Sequence, residues 1–110
     1  MNEPGTPAQD LYEALVTDQL RVPGVGIGKA LHNEVLTASG KIFAFLKDDR
    51  LVVKLPASRA AALVAGGEAA AFESGGRKMR EWVSAALPAD PGRWRLLMAD
   101  AHEYVSGLQA

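Results

Sequence analysis

The sequence contains no cysteine. Disulfides, thiolate zinc sites, iron–sulfur clusters and a cysteine nucleophile are excluded together. A cysteine-free chain fits the cytosol, which is the expected location. Histidine is nearly as scarce, with only His32 and His102, too few to build a convincing metal site without a third ligand. Long apolar runs are missing: none approaches the ~20 residues that a membrane-spanning helix needs, so no membrane association is expected. A large charge of one sign is missing as well. The formal net charge of −1 gives no broad field to capture nucleic acid or an acidic membrane, and leaves only local patches to do so. The opening MNEPGTPAQD lacks the basic and apolar regions of a signal peptide.

What is present is an ordinary globular composition. Apolar residues make up 48% and charged residues 23% of 110 positions, which is enough for one core without help from metal or disulfide. Residues 1–6 are expected to form a flexible tail and residues 7–110 a single domain.

The segment VPGVGIGKAL, Val22 to Leu31, resembles a phosphate-binding loop and fails as one. The G-x-x-x-x-G-K-[ST] pattern would need a glycine where Pro23 stands and a hydroxyl where Ala30 stands. Proline also lacks the N–H that a phosphate nest uses. As a dinucleotide fingerprint it fails at Lys29, which takes the place of the third glycine. No nucleotide cofactor is therefore expected. His32-Asn33-Glu34 could open a zinc deaminase signature, but the cysteines that would complete it do not exist. None of the serines lies in G-x-S-x-G, and no pair of carboxylates stands out by its spacing. No catalytic residue, metal ligand or cofactor is assigned, and the chain is expected not to be an enzyme.

Periodicity and punctuation predict the elements. Thr6-Pro7 reads as a cap followed by proline at the first helical position. Leu11, Leu15, Val16 and Leu20 then give a first helix from Pro7 to Leu20, ended by Pro23-Gly24. Gly26–Leu31 and Glu34–Thr37 are short strands, followed by a turn at ASGK. IFAFLK (Ile42–Lys47) and LVVKL (Leu51–Leu55) flank Asp48-Asp49-Arg50 and read as a hairpin. Strict alternation puts Ile42, Ala44 and Leu46 on one face and Phe43 and Phe45 on the other. With Leu51, Val53 and Leu55 opposite Val52 and Lys54, both faces carry apolar residues. Helices are expected over one face, and a helix or a second subunit over the other. A short helix capped by Ser58 and closed by Gly66 follows. Strands at Ala70–Phe72 and Lys78–Val83 come next, with the turn SGGR between them. Asp90-Pro91 opens a last helix whose stripe runs through Trp94, Leu97, Met98, Ala101, Val105 and Leu108. The fold class is α+β: an N-terminal helix, an antiparallel sheet of about five strands with an inserted short helix, and a C-terminal helix.

In this order, GKIFAFL (Gly40–Leu46), RLVVKLP (Arg50–Pro56), RKMREWV (Arg77–Val83) and RWRLLMADAHEYV (Arg93–Val105) resemble the N-terminal domain of the TfoX/Sxy family, over about residues 8–108. The resemblance implies a small α+β fold of YjbR-like architecture and a non-enzymatic binding or regulatory role. The family's first strand often continues Gly-Lys as Met-Phe-Gly. Here Gly28-Lys29 continues as Ala30-Leu31-His32.

The candidate site lies on the last strand. If Lys78–Val83 alternates regularly, Lys78, Arg80 and Trp82 share a face, with Arg77 beside them. Two cations and an indole suit a nucleic-acid backbone and base. The competing reading buries Trp82 at a sheet edge and leaves the cations solvated or paired with Glu73 or Glu81. Lys41, Lys47, Arg50 and Lys54 form a second basic set on the hairpin. Asp48 and Asp49 at its tip would repel phosphate, and edge lysines also deter aggregation without any ligand. The expected partners are a second copy through the hairpin face, a nucleic acid or another protein.

Overall fold

The computed structural model describes residues 5–30 and 33–108. Leu31, His32 and most of the expected tail therefore lie outside the described residues. The elements run α1 (Pro7–Gln19), β1 (Val25–Ala30), β2 (Asn33–Ala38), β3 (Lys41–Lys47), β4 (Arg50–Lys54), α2 (Ala57–Ala65), β5 (Ala70–Ser74), β6 (Arg77–Ala85) and α3 (Gly92–Gly107). The architecture is α+β as expected. The sheet has six strands rather than about five, antiparallel throughout, in the order β1-β2-β3-β4-β6-β5.

Local chemistry accounts for most boundaries. Thr6 caps α1: its hydroxyl accepts from the Gln9 N–H and donates to Asp49, so this end of the expected tail is part of the fold. Three hairpins close through two-residue turns, Ser39-Gly40, Asp48-Asp49 and Gly75-Gly76, and all six residues have positive φ. That is the backbone a type I′ turn requires. Two helix starts differ from expectation. Ser58 lies inside α2, which begins directly after Pro56 with no side-chain cap, because only Leu55 and Pro56 separate it from β4. At α3 the boundary falls one residue late, with Pro91 at the cap position. Asp90 still does the capping, since its Oδ1 accepts from the Gly92 N–H at 2.9 Å.

All three helices lie on one side of the sheet. The main core joins Leu15 of α1, Ala60 and Leu63 of α2, and Trp94, Met98 and Val105 of α3 to Leu36, Phe43, Leu51, Val53 and Val83 of the strands and to Leu55 just after β4. The α3 stripe is buried as expected up to Val105, and Leu108 is exposed.

The alternation expected for β3 does not hold. Leu36 pairs with Ala44, but the next residue, Thr37, pairs with Ile42. Phe43 is thus an extra residue, a β-bulge. It lets Phe43 and Ala44 both enter the helix-side core, while Phe45 goes to the opposite side and Ile42 packs there with it. Phe43 meets His102 edge to face at 5.4 Å, so His102 is half-buried rather than a surface residue.

The second side has its own small cluster. Val35, Phe45 and Val52 are buried, with Ala30, Ile42, Phe72 and Trp82 packed around them, and none of these comes from a helix. Ala30 on β1 and Phe72 on β5 line one cleft, although these strands stand at opposite ends of the sheet. In a flat six-stranded sheet the two edges would be roughly 24 Å apart. The sheet is therefore strongly curved, with this side concave. The hairpin's second face is covered within one chain, so a second copy is not needed to bury it.

Two predictions follow from the packing. Trp94 is fully buried and Leu96 is 65% exposed. Trp94→Ala is expected to cost about 3–5 kcal/mol in urea unfolding, and Leu96→Ala to stay within about 0.5 kcal/mol. Burial, with a smaller contribution from Glu34, pushes the Tyr12 hydroxyl from the ordinary 10.0 up to about 12. The folded state holds this proton more tightly than the unfolded chain. The contribution is thus complete below pH 10 and is lost as pH rises from 10 towards 12. Denaturant midpoints measured across that window are expected to fall less in Tyr12→Phe than in the wild type.

Candidate functional site

The sheet residues that face away from the helices are aromatic in the middle and cationic around the edge. Phe45 of β3 is the floor. Phe72 of β5 meets it edge to face at 5.8 Å, and Trp82 of β6 tilts against it at 5.7 Å. These rings, with Val35, Ile42 and Met79, enclose a cleft of about 230 Å³ that Lys47 and Ser74 also line.

Trp82 owes its position to a second irregularity. Ala71 of β5 pairs with Val83, but its neighbour Phe72 pairs with Met79. Arg80, Glu81 and Trp82 are thereby left out of the β5 ladder. Trp82 remains opposite Lys54 on β4, and the Leu55 N–H donates to the Glu81 carbonyl at 2.8 Å. The regular alternation expected for Lys78, Arg80 and Trp82 is therefore broken. Met79 faces Phe72 across the strands on the concave side, and its neighbour Lys78, opposite Glu73, takes the other side.

The four sequence-predicted residues nevertheless come together. Arg77, Lys78, Arg80 and Trp82 all line one open depression along β6, joined by Lys54 and by the carboxylate Glu81. Met79 and Trp82 form a wall common to this depression and the aromatic cleft. They also border a shallow apolar groove of about 660 Å³ between α2 and β6. Trp82 is half-buried and the three cations are exposed. Of the two forms of the competing reading, pairing with Glu73 or Glu81 is not seen among the described residues, while solvated cations beside a packed Trp82 are. Glu81 lies 3.9 Å from Lys54 Nζ and accepts a hydrogen bond from the Tyr104 hydroxyl at 2.9 Å. That bond, ahead of burial and charge, raises the Tyr104 pKa above its ordinary value. Arg77, Lys78 and Arg80 form no ion pair among the described residues.

Three of the hairpin cations discounted from the sequence, Lys47, Arg50 and Lys54, belong to the same face, whereas Lys41 is not among them. Lys47 Nζ sits 5.6 Å above the Phe72 ring and Lys54 Nζ 6.0 Å from Trp82, both cation–π distances. Arg50 stands directly opposite Lys47. Its guanidinium donates to the Ser84 hydroxyl and carbonyl, both at 3.0 Å, which uses two of its five N–H donors and leaves its charge unbalanced. Two like charges as a cross-strand pair cost stability when nothing anionic lies between them. The repulsion expected from the hairpin tip is reduced at Asp49, whose carboxylate is turned to the start of α1 by the Thr6 hydroxyl. Sequence reasoning missed Phe45 and Phe72 as part of the site. The signal was the pairing of each aromatic with a lysine across the curved sheet, which spacing along the chain does not carry.

No family model, no curated protein and no solved structure matches the chain. Among the described residues, no helix is long and apolar enough to cross a membrane.

The two tryptophans give a direct check on this geometry. Trp94 is fully buried and donates its indole N–H to the Ala86 carbonyl at 3.0 Å, whereas Trp82 borders the open cleft. Acrylamide is expected to quench Trp82 strongly and Trp94 hardly at all. Trp82→Phe should then leave only blue-shifted, poorly quenched emission. Residual emission quenched as fully as in the wild type would show that Trp82 is not the open one.

Proposed function

We propose that this chain is a small non-enzymatic binding module of the TfoX N-terminal type, and that it holds nucleic acid against the concave side of its sheet and along β6. The family reading rests on the four sequence blocks and on the order of the elements. The ligand reading rests on one observation: Arg77, Lys78 and Arg80 carry no carboxylate partner among the described residues and stand beside a half-exposed indole. Lys47, Arg50 and Lys54 extend this cationic border around the aromatic cleft. Backbone phosphates supply the regularly spaced anions that such a border selects, and exposed rings supply stacking surfaces that tolerate any base. The cleft itself offers a lysine and a serine but no histidine or carboxylate to act as a general base, which favours binding over catalysis.

Fluorescence anisotropy with a labelled oligonucleotide tests this. Affinity is expected to fall steeply with added salt. Arg80→Ala is expected to weaken binding and to flatten the slope of log affinity against log salt by about one. Absence of binding at about 50 mM salt overturns the proposal. Equal competition by polyglutamate would also overturn it, in favour of an acidic protein as the ligand.

A further inference from the structure

We infer that the nucleic acid taken by this face is single-stranded, with one unstacked base seated in the cleft between Phe72 and Trp82 over Phe45. This inference rests on the preceding reading and narrows it.

The size of the cleft is the first argument. At about 230 Å³ it falls below the roughly 300–1,000 Å³ of pockets that enclose a whole small molecule. It suits a single planar ring system instead. Its walls have the matching character: three aromatic rings, the flexible thioether of Met79, and aliphatic Val35 and Ile42. Phe72 and Trp82 stand at steep angles to Phe45, 80° and 48°. The floor ring therefore meets Phe72 by its edge and Trp82 at a tilt, so neither stacks flat on it, and a lysine covers one face of each of these two rings.

The border is the second argument. Lys47 is held over Phe72 and Lys54 over Trp82, so each ring that could stack a base has a cation beside it. A base carries its phosphate on the same nucleotide, and a ring with a cation beside it offers a partner to each. A free aromatic molecule would use the cleft and leave the cations idle. A duplex would use the cations and leave the cleft empty, because its bases are paired and stacked, and extruding one costs a few kcal/mol. A single strand satisfies both at once.

Three labelled probes separate these cases: an oligothymidylate of about 12 nucleotides, within the span that one small platform covers, a duplex of the same length, and an abasic strand of the same length. The wild-type protein is expected to bind the oligothymidylate about tenfold or more tighter than either of the others, with quenching of Trp82 emission by that probe alone. Phe72→Ala should bring the three affinities together, whereas Arg80→Ala should lower all three by a similar factor. Should Phe72→Ala fail to fold by circular dichroism, the wild-type comparison of thymidylate with abasic strand decides alone. Equal affinity for the three probes, or tightest binding to the duplex, overturns the seated base while leaving the charge-based reading intact. Binding of none of them overturns both.

Discussion

Three helices of this size can cover only one side of a six-stranded sheet, and the chain's apolar strand residues exceed what that side can hold. Phe45, Val52 and Val35 must leave water on a side where no helix reaches them. The sheet meets this constraint by curling, so that Phe72 and Trp82 from one end and Ala30 from the other close over the same three residues. Both register irregularities serve it. The bulge at Phe43 sends a large ring to the helix side without displacing Ala44. The shift between Ala71 and Phe72 releases Trp82 from β5 and lets it lean on Phe45. Bulges bend strands and increase local twist, and both here are in or beside the strands that contribute aromatics. The concave face is thus a by-product of burial, and its cleft is the space that three rings leave when no helix fills it.

Charge follows the same division. The net charge of −1 conceals a segregation that composition cannot show. The helix arginines have carboxylate partners: Arg59 binds Asp100, Arg95 binds Asp18, and Arg93 binds Glu68. Exposed pairs of this kind add little stability, roughly 0–1 kcal/mol each, so their effect on fold energy is small. Their effect on the surface is larger. They use up acids on the helix side, while Glu81, at the border of the concave side, is committed to Lys54 and Tyr104. What remains along β6 is Arg77, Lys78 and Arg80, which form no ion pair among the described residues although Glu73 lies on β5 and Glu81 on β6 itself.

Local signals made much of this fold readable from residues alone. Thr6-Pro7 marks the start of α1, the glycine and aspartate pairs mark tight turns, and the Trp94-to-Val105 stripe marks the buried side of α3, because each depends on neighbours within a few positions. The order of β4 between β3 and β6, the bulge at Phe43 and the excursion of Arg80 to Trp82 depend on partners that are distant in sequence. Strict alternation therefore misplaced Phe43 and Lys78. The candidate site was legible in the same uneven way. Arg77, Lys78, Arg80 and Trp82 lie together on one strand and could be proposed from spacing. Phe45 and Phe72, with the lysines above the rings, meet only when the sheet closes. The reason for discounting Lys47 and Arg50 was Asp48-Asp49 at the tip, and it weakened once Thr6 was seen to hold Asp49 toward the helices.

The excursion also explains how a face can be both packed and receptive. Arg80, Glu81 and Trp82 are anchored on the β4 side by the Lys54 register and the Leu55 hydrogen bond, yet they have no ladder partner on β5. Backbone groups outside a ladder open at lower free energy than those inside it. The stretch that carries the indole and one of the free cations is therefore the part of the sheet best able to shift without disturbing the core. Val83 and Ala85, one and three residues beyond Trp82 on the same strand, are buried under the helices and hold the register fixed. A ring that enters between Phe72 and Trp82 needs only the outer part of β6 to give way. The two ring contacts it displaces, one edge to face and one tilted, are weak, about 0.5–1.5 kcal/mol for each aromatic pair. Stacking contributes about 1–3 kcal/mol per base, which offsets the loss of the two pairs, so the contact between phosphate and cation decides the balance.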